Sequence, residues 1–131
     1  MKPADELKLR TKKFAIRIVK VFQALPRSED ARTLGKQLLR SGTSVAANYR
    51  AVCRSRSKAE FVAKLGVVVE EIDETVFWLE LLVESGIIRP VRLGNLQREA
   101  NELLAIFISS QLTAKGLNSN STIRKFVNSS I

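Results

Sequence analysis

The chain has 131 residues, 45% of them hydrophobic, with three prolines and six glycines. That length suits one domain with a core of its own, and so few breakers argue against an all-β fold, which needs a turn about every 8–12 residues. The lack of histidine and the single cysteine exclude Ser-His and Cys-His catalysis, most zinc chemistry and an intramolecular disulfide, while a net charge of +9 points to an anionic partner.

The first helix is expected over about Ala4–Leu25. Phe14, Ile18, Val21 and Leu25 recur at alternating spacings of four and three, and Leu7 extends the row. Leu9, Ile16 and Val19 form a second apolar row, more surface than a bundle core needs, which points to an oligomer. Pro26 ends the helix. The second helix is expected over about Ser28–Cys53, with Ser28 as N-cap and Glu29 and Asp30 favouring the helix dipole. Its inward row reads Leu34, Leu38, Ser41, Val45, Asn48 and Val52, with Tyr49 beside it. Gly42 costs about 1 kcal/mol relative to alanine within a helix. Together with Thr43, Ser44, Ala46 and Ala47, it would let a neighbouring helix come close. Asn48 is expected to be a structural polar residue in that row.

Ser57-Lys58-Ala59-Glu60 matches a capping box, so a third helix should run from Lys58 to about Ser85. Leu65, Val68, Ile72, Thr75, Leu79 and Leu82 mark its inner stripe, and Gly86 is a natural C-cap. Trp78, beside Phe77, is expected to fill a core or an interface rather than to stack on a base. The fourth helix should start near Pro90 and end by Gly116, with Leu93, Leu96, Ala100, Leu103, Phe107 and Ser110 inward. Residues 117–131 read as a flexible C-terminal tail, with Ile123, Phe126 and Val127 as docking points. Short connections then predict an all-α, antiparallel up-down-up-down four-helix bundle over residues 1–116.

The acidic run Glu70, Glu71, Asp73 and Glu74 looks at first like a carboxylate metal site. Without histidine, it reads instead as a solvated face that pairs with the basic helices, and no metal or cofactor is expected. No run reaches the roughly 18 apolar residues of a membrane span, and the N-terminus has no signal-like apolar stretch, so a cytoplasmic protein without membrane contact is expected. Residues 1–56 hold 14 Lys/Arg against 4 Asp/Glu, whereas residues 57–131 hold 8 against 9. Arg10, Lys13, Arg17 and Lys20 share one helix face, with Lys12 beside it. Arg32, Lys36 and Arg40 form a second row, Arg50 and Arg54 a third, and Arg56 follows. Such rows suit sequence-tolerant phosphate contacts. Charge alone leaves a solvated basic face equally open.

The run Ser41-Gly42-Thr43-Ser44-Val45-Ala46-Ala47-Asn48, followed by Arg54-Ser55-Arg56-Ser57-Lys58-Ala59-Glu60-Phe61 and the acidic run, resembles the bacterial four helix bundle protein family. That family includes 23S rRNA-intervening sequence proteins and the accessory variability determinant of diversity-generating retroelements. The resemblance covers roughly residues 7–112 and is most specific at Ser44-Val45-x-x-Asn48 and Ser57-Lys58-x-x-Phe61. Many members read Asn-Ile-Ala-Glu-Gly where this chain has Asn48-Tyr49-Arg50-Ala51-Val52, so no role of that acid carries over. The resemblance implies an antiparallel bundle, a homo-oligomer that is typically a pentamer, a basic surface for RNA or DNA, and no enzyme activity. An accessory role beside an RNA or a reverse transcriptase follows from the same likeness. The expected nucleic-acid-binding residues are Arg10, Lys13, Arg17, Lys20, Lys36, Arg40, Arg50, Arg54 and Arg56. The alternative is a protein-interaction module whose basic face docks an acidic partner. The two part on whether these cations form a surface uncovered by carboxylates.

Overall fold

The computed structural model describes residues 2–116 and contains four helices: α1 (Pro3–Ala24), α2 (Glu29–Val52), α3 (Lys58–Glu84) and α4 (Pro90–Ala114). Several boundaries have a local cause in the sequence. Pro3 and Pro90 occupy the first turns of α1 and α4, where a missing N–H costs nothing. Ser57 caps α3 by accepting the Glu60 N–H at 3.1 Å. The Glu60 carboxylate accepts the Arg56 N–H at 3.3 Å, one residue ahead of the reciprocal bond a capping box would make. At the far end of α3, Gly86 takes φ +81°, a conformation costly for other residues. There the Ile87 N–H reaches Leu82 O at 3.1 Å and the Gly86 N–H reaches Val83 O at 3.0 Å, which is a Schellman ending. Ser28 stands at the N-cap of α2 but makes no capping bond with its side chain.

Consecutive helices pack side by side in the order α1, α2, α3, α4, and α4 returns to α1 along a sparser seam. Pairings at several levels set the directions. Gly42 lies against Ile18 and Gly35 against Phe22 and Leu25, so α2 descends beside α1. Gly66 of α3 lies against Gln111 near the end of α4. Tyr49 and Phe107 close the centre across the diagonal, with ring centroids 5.2 Å apart. The arrangement is the antiparallel four-helix bundle that periodicity predicts. No helix among the described residues is long and apolar enough to cross a membrane.

The buried set of α3 is Leu65, Val68, Ile72, Thr75, Leu79 and Leu82, which is its expected stripe. In α2 the row is broader than expected. Ala31, Gly35, Gly42 and Tyr49 are buried, while Leu34 and Asn48 are only half-buried. At Gly35 and Gly42 the side chains of Phe22, Leu25 and Ile18 of α1 lie directly on the α2 backbone, which buries positions beyond the expected row. Asn48 sets no register with a neighbour, because its Nδ2 donates to Ser44 O in its own helix at 2.9 Å. In α4, Leu112 is buried and Ser110 is not; the Ser110 hydroxyl bonds Ile106 O instead. Thr11, absent from the expected row, is buried in α1, its hydroxyl held by Leu7 O at 2.8 Å. The Ser41 and Thr75 hydroxyls meet 2.9 Å apart between α2 and α3, a satisfied polar pair in an apolar core. The tail docking points Ile123, Phe126 and Val127 lie outside the described residues.

Candidate nucleic-acid interface

The bundle divides the expected cations among several surroundings. Arg10 faces α4. Its Nε and Nη2 donate to both oxygens of Glu99 at 2.8 and 2.6 Å, and Nη2 also donates to Glu102 at 2.6 Å. These bonds, to Glu99 first, push the guanidinium further above its ordinary pKa. Arg40 faces α3, where Nη2 meets Glu74 at 2.7 Å and Nη1 meets Glu71 at 3.2 Å. Two carboxylates of the acidic run of α3, Glu71 and Glu74, therefore pair with a basic helix within one chain, while Glu70 and Asp73 make no ion pair among the described residues. Neither arginine is free to take a phosphate without giving up carboxylates.

Lys13, Arg17 and Lys20 are exposed along the α4 flank of α1 and make no ion pair among the described residues. At the end of the bundle Lys20 joins Arg89 and Arg92 around a concavity floored by Val21, Ile88 and Leu93. Lys36 is exposed on α2, and Arg56 is exposed in the connection before α3. Arg32 lies over the Phe22 ring, its guanidinium carbon 4.6 Å from the centroid.

Arg50 and Arg54 are exposed near the end of α2, where they face Lys8 and Lys12 of α1 across a groove. Thr43, Ala46, Ala47 and Ala51 line it with short side chains, and Leu9 and Cys53 complete it. The groove is a product of sequence: small residues on α2 let α1 lie close and leave the seam between them low. Lys8 has a weak partner in Asp5 at 3.5 Å, and Lys12 has none among the described residues. The sequence reading placed Lys12 beside the main row and passed over Lys8. Their i, i+4 spacing was the available signal, since it puts both on one flank.

Among the described residues, the exposed aromatic lies on neither α1 nor α2. Phe77 on α3 is 51% exposed and meets Trp78 edge-on at 5.0 Å, while Trp78 packs against the core. Asp73, Glu74 and Glu80 surround this pair, an unsuitable setting for a phosphodiester.

The family model for 23S rRNA-intervening sequence proteins matches residues 6–109. The chain belongs to that family. A solved protein from Bacteroides thetaiotaomicron VPI-5482, described as of unknown function and from the S23 ribosomal protein family, is 32% identical. It superposes with a TM-score of 0.77, and the match covers 84% of this chain and 98% of that one. No curated protein matches. The motifs that carry the resemblance do structural work here. Val45 is buried, Asn48 bonds the Ser44 carbonyl, Ser57 caps α3, and Phe61 packs against the core.

Proposed function

We propose that this family member is a non-enzymatic bundle that binds RNA or DNA chiefly through phosphate contacts, in a bacterial cytoplasm. The observation that carries the reading is the α1/α2 groove, where Lys8, Lys12, Arg50 and Arg54 line a floor of small side chains. Short side chains let a sugar-phosphate backbone approach, and flanking cations release its counterions without reading bases. Lys13, Arg17, Lys20, Lys36 and Arg56 extend the positive field. Arg10 and Arg40 contribute less, because their charge is spent on carboxylates. The assembly we propose is a homo-oligomer, a pentamer by resemblance. Ile16, 50% exposed on α1 and outside that groove, supplies apolar contact area for it. An accessory role beside an RNA or a reverse transcriptase fits a binder without chemistry of its own.

The test is titration of a mixed-sequence oligonucleotide across salt concentrations. The log–log slope should be about −0.7 per contacted phosphate on single strands and about −0.9 on duplex DNA. Replacing Lys8, Lys12, Arg50 and Arg54 by glutamine should weaken binding to all sequences alike and flatten the slope. Salt-insensitive binding, or undiminished binding by a folded quadruple variant, would favour an acidic protein partner instead. Light scattering should give a mass several times 14.6 kDa, and a monomer would remove the oligomer from the reading.

A further inference from the structure

One face of the bundle has chemistry opposite to the rest. On α3, Phe77 is half exposed beside Trp78, and Asp73, Glu74 and Glu80 line the same concavity. Glu74 is taken by Arg40, but Asp73 and Glu80 have no ion-pair partner among the described residues. A half-exposed phenylalanine between unpaired carboxylates fits a segment that is both apolar and basic.

The chain carries such a segment beyond Gly116: Ile123-Arg124-Lys125-Phe126-Val127. We propose that the Phe77 face of α3 is the seat of this segment of the same chain, with Phe126 against Phe77 and Arg124 and Lys125 toward Asp73 and Glu80. Three observations support this occupant. The charges and apolar groups are complementary. The distance can be spanned: Gly66 lies against Gln111, so the end of α4 lies beside the beginning of α3, and Phe77 is about 24 Å further along the axis. From Gly116 the ten residues to Phe126 reach about 33 Å when extended. Finally, tethering gives the segment a millimolar effective concentration at the α3 of its own chain.

Trp78 is the only tryptophan in the sequence and touches Phe77, so its emission in the full chain reports on the seat. Phe126→Ser should lower the docked-to-free ratio by about tenfold, shift the emission to the red and raise quenching by acrylamide. Arg124→Glu with Lys125→Glu should do the same. Adding Asp73→Lys and Glu80→Lys to that double variant should restore the parent value, a rescue that a local effect on the indole would not produce. Far-ultraviolet circular dichroism should be unchanged throughout, because Asp73 and Glu80 are exposed and the other positions lie beyond the four helices. Parent-like quenching in Phe126→Ser would overturn the proposal. Parent quenching that rises on dilution would overturn it too, because the occupant would then be a second copy.

Discussion

Arg10 and Lys12 are two residues apart on α1 and have opposite surroundings. Arg10 points to α4 and is held by two carboxylates; Lys12 points to α2 and meets more cations across a groove. The helix is the same, and the partners differ. The α1/α4 seam is sparse and bridged by ions, while the α1/α2 seam is close and built on glycine. Formal charge is therefore a poor guide to where an anion binds. What matters is which cations the neighbouring helix has left unpaired.

The contrast breaks most sharply at the glycines. A Cβ on Gly42 would lie 2.7 Å from Ile18 Cγ1 and 2.8 Å from Cγ2, both on a fully buried side chain. Gly42→Val should cost about 2 kcal/mol through overpacking, read as a lower denaturant midpoint. Gly94 meets nothing within 4 Å, so Gly94→Ala should stabilise by about 0.5–1 kcal/mol. The same sign at both positions would mean that α1 and α2 do not approach closely.

The ionic seam should matter less. A double-mutant cycle with Arg10→Gln and Glu99→Gln should give a coupling of about 0.5–1 kcal/mol that shrinks with salt, because the pair is partly exposed. Zero coupling at low salt would remove the seam as a distinct feature. On nucleic acid the ranking reverses. Lys12→Gln should flatten the single-strand salt slope by about 0.7, and Arg10→Gln should leave it nearly unchanged. Equal effects would refute the division between paired and free cations.

The smallest effect at neutral pH concerns Tyr49, buried one helical turn before Cys53 of the groove. Burial, first, holds its phenol pKa above the ordinary value. The neutral form is therefore favoured in the folded state. Stability from this source is complete below the unfolded pKa of about 10 and is lost as pH rises toward the folded value. Tyr49→Phe should match the parent at pH 7 and lose less stability above pH 10. Identical alkaline profiles would show that the ring is not held where its contact with Phe107 puts it.

Much of the bundle was legible because it is governed by local periodicity. The α3 stripe, its serine cap and its glycine ending each depend on residues within one or two turns. The candidate site was legible only in part. Arg50 and Arg54 were found by charge, Lys8 was missed, and Arg10 was grouped with Lys13 and Arg17 although its guanidinium is bonded to α4. Glu99 lies 89 positions from Arg10, and nothing in the spacing of either helix announces the pair.

The sequence by itself determined four helices, where they begin and stop, and which stripe of each is apolar, since caps, prolines and a 3.6-residue period act over short range. It also determined that positive charge would be concentrated on α1 and α2. Only the tertiary structure decided which of those charges remain available. An arginine's state depends on the carboxylate that helix packing brings to it, and packing here is set by volumes at Gly35, Gly42 and Ile18 that lie on different helices.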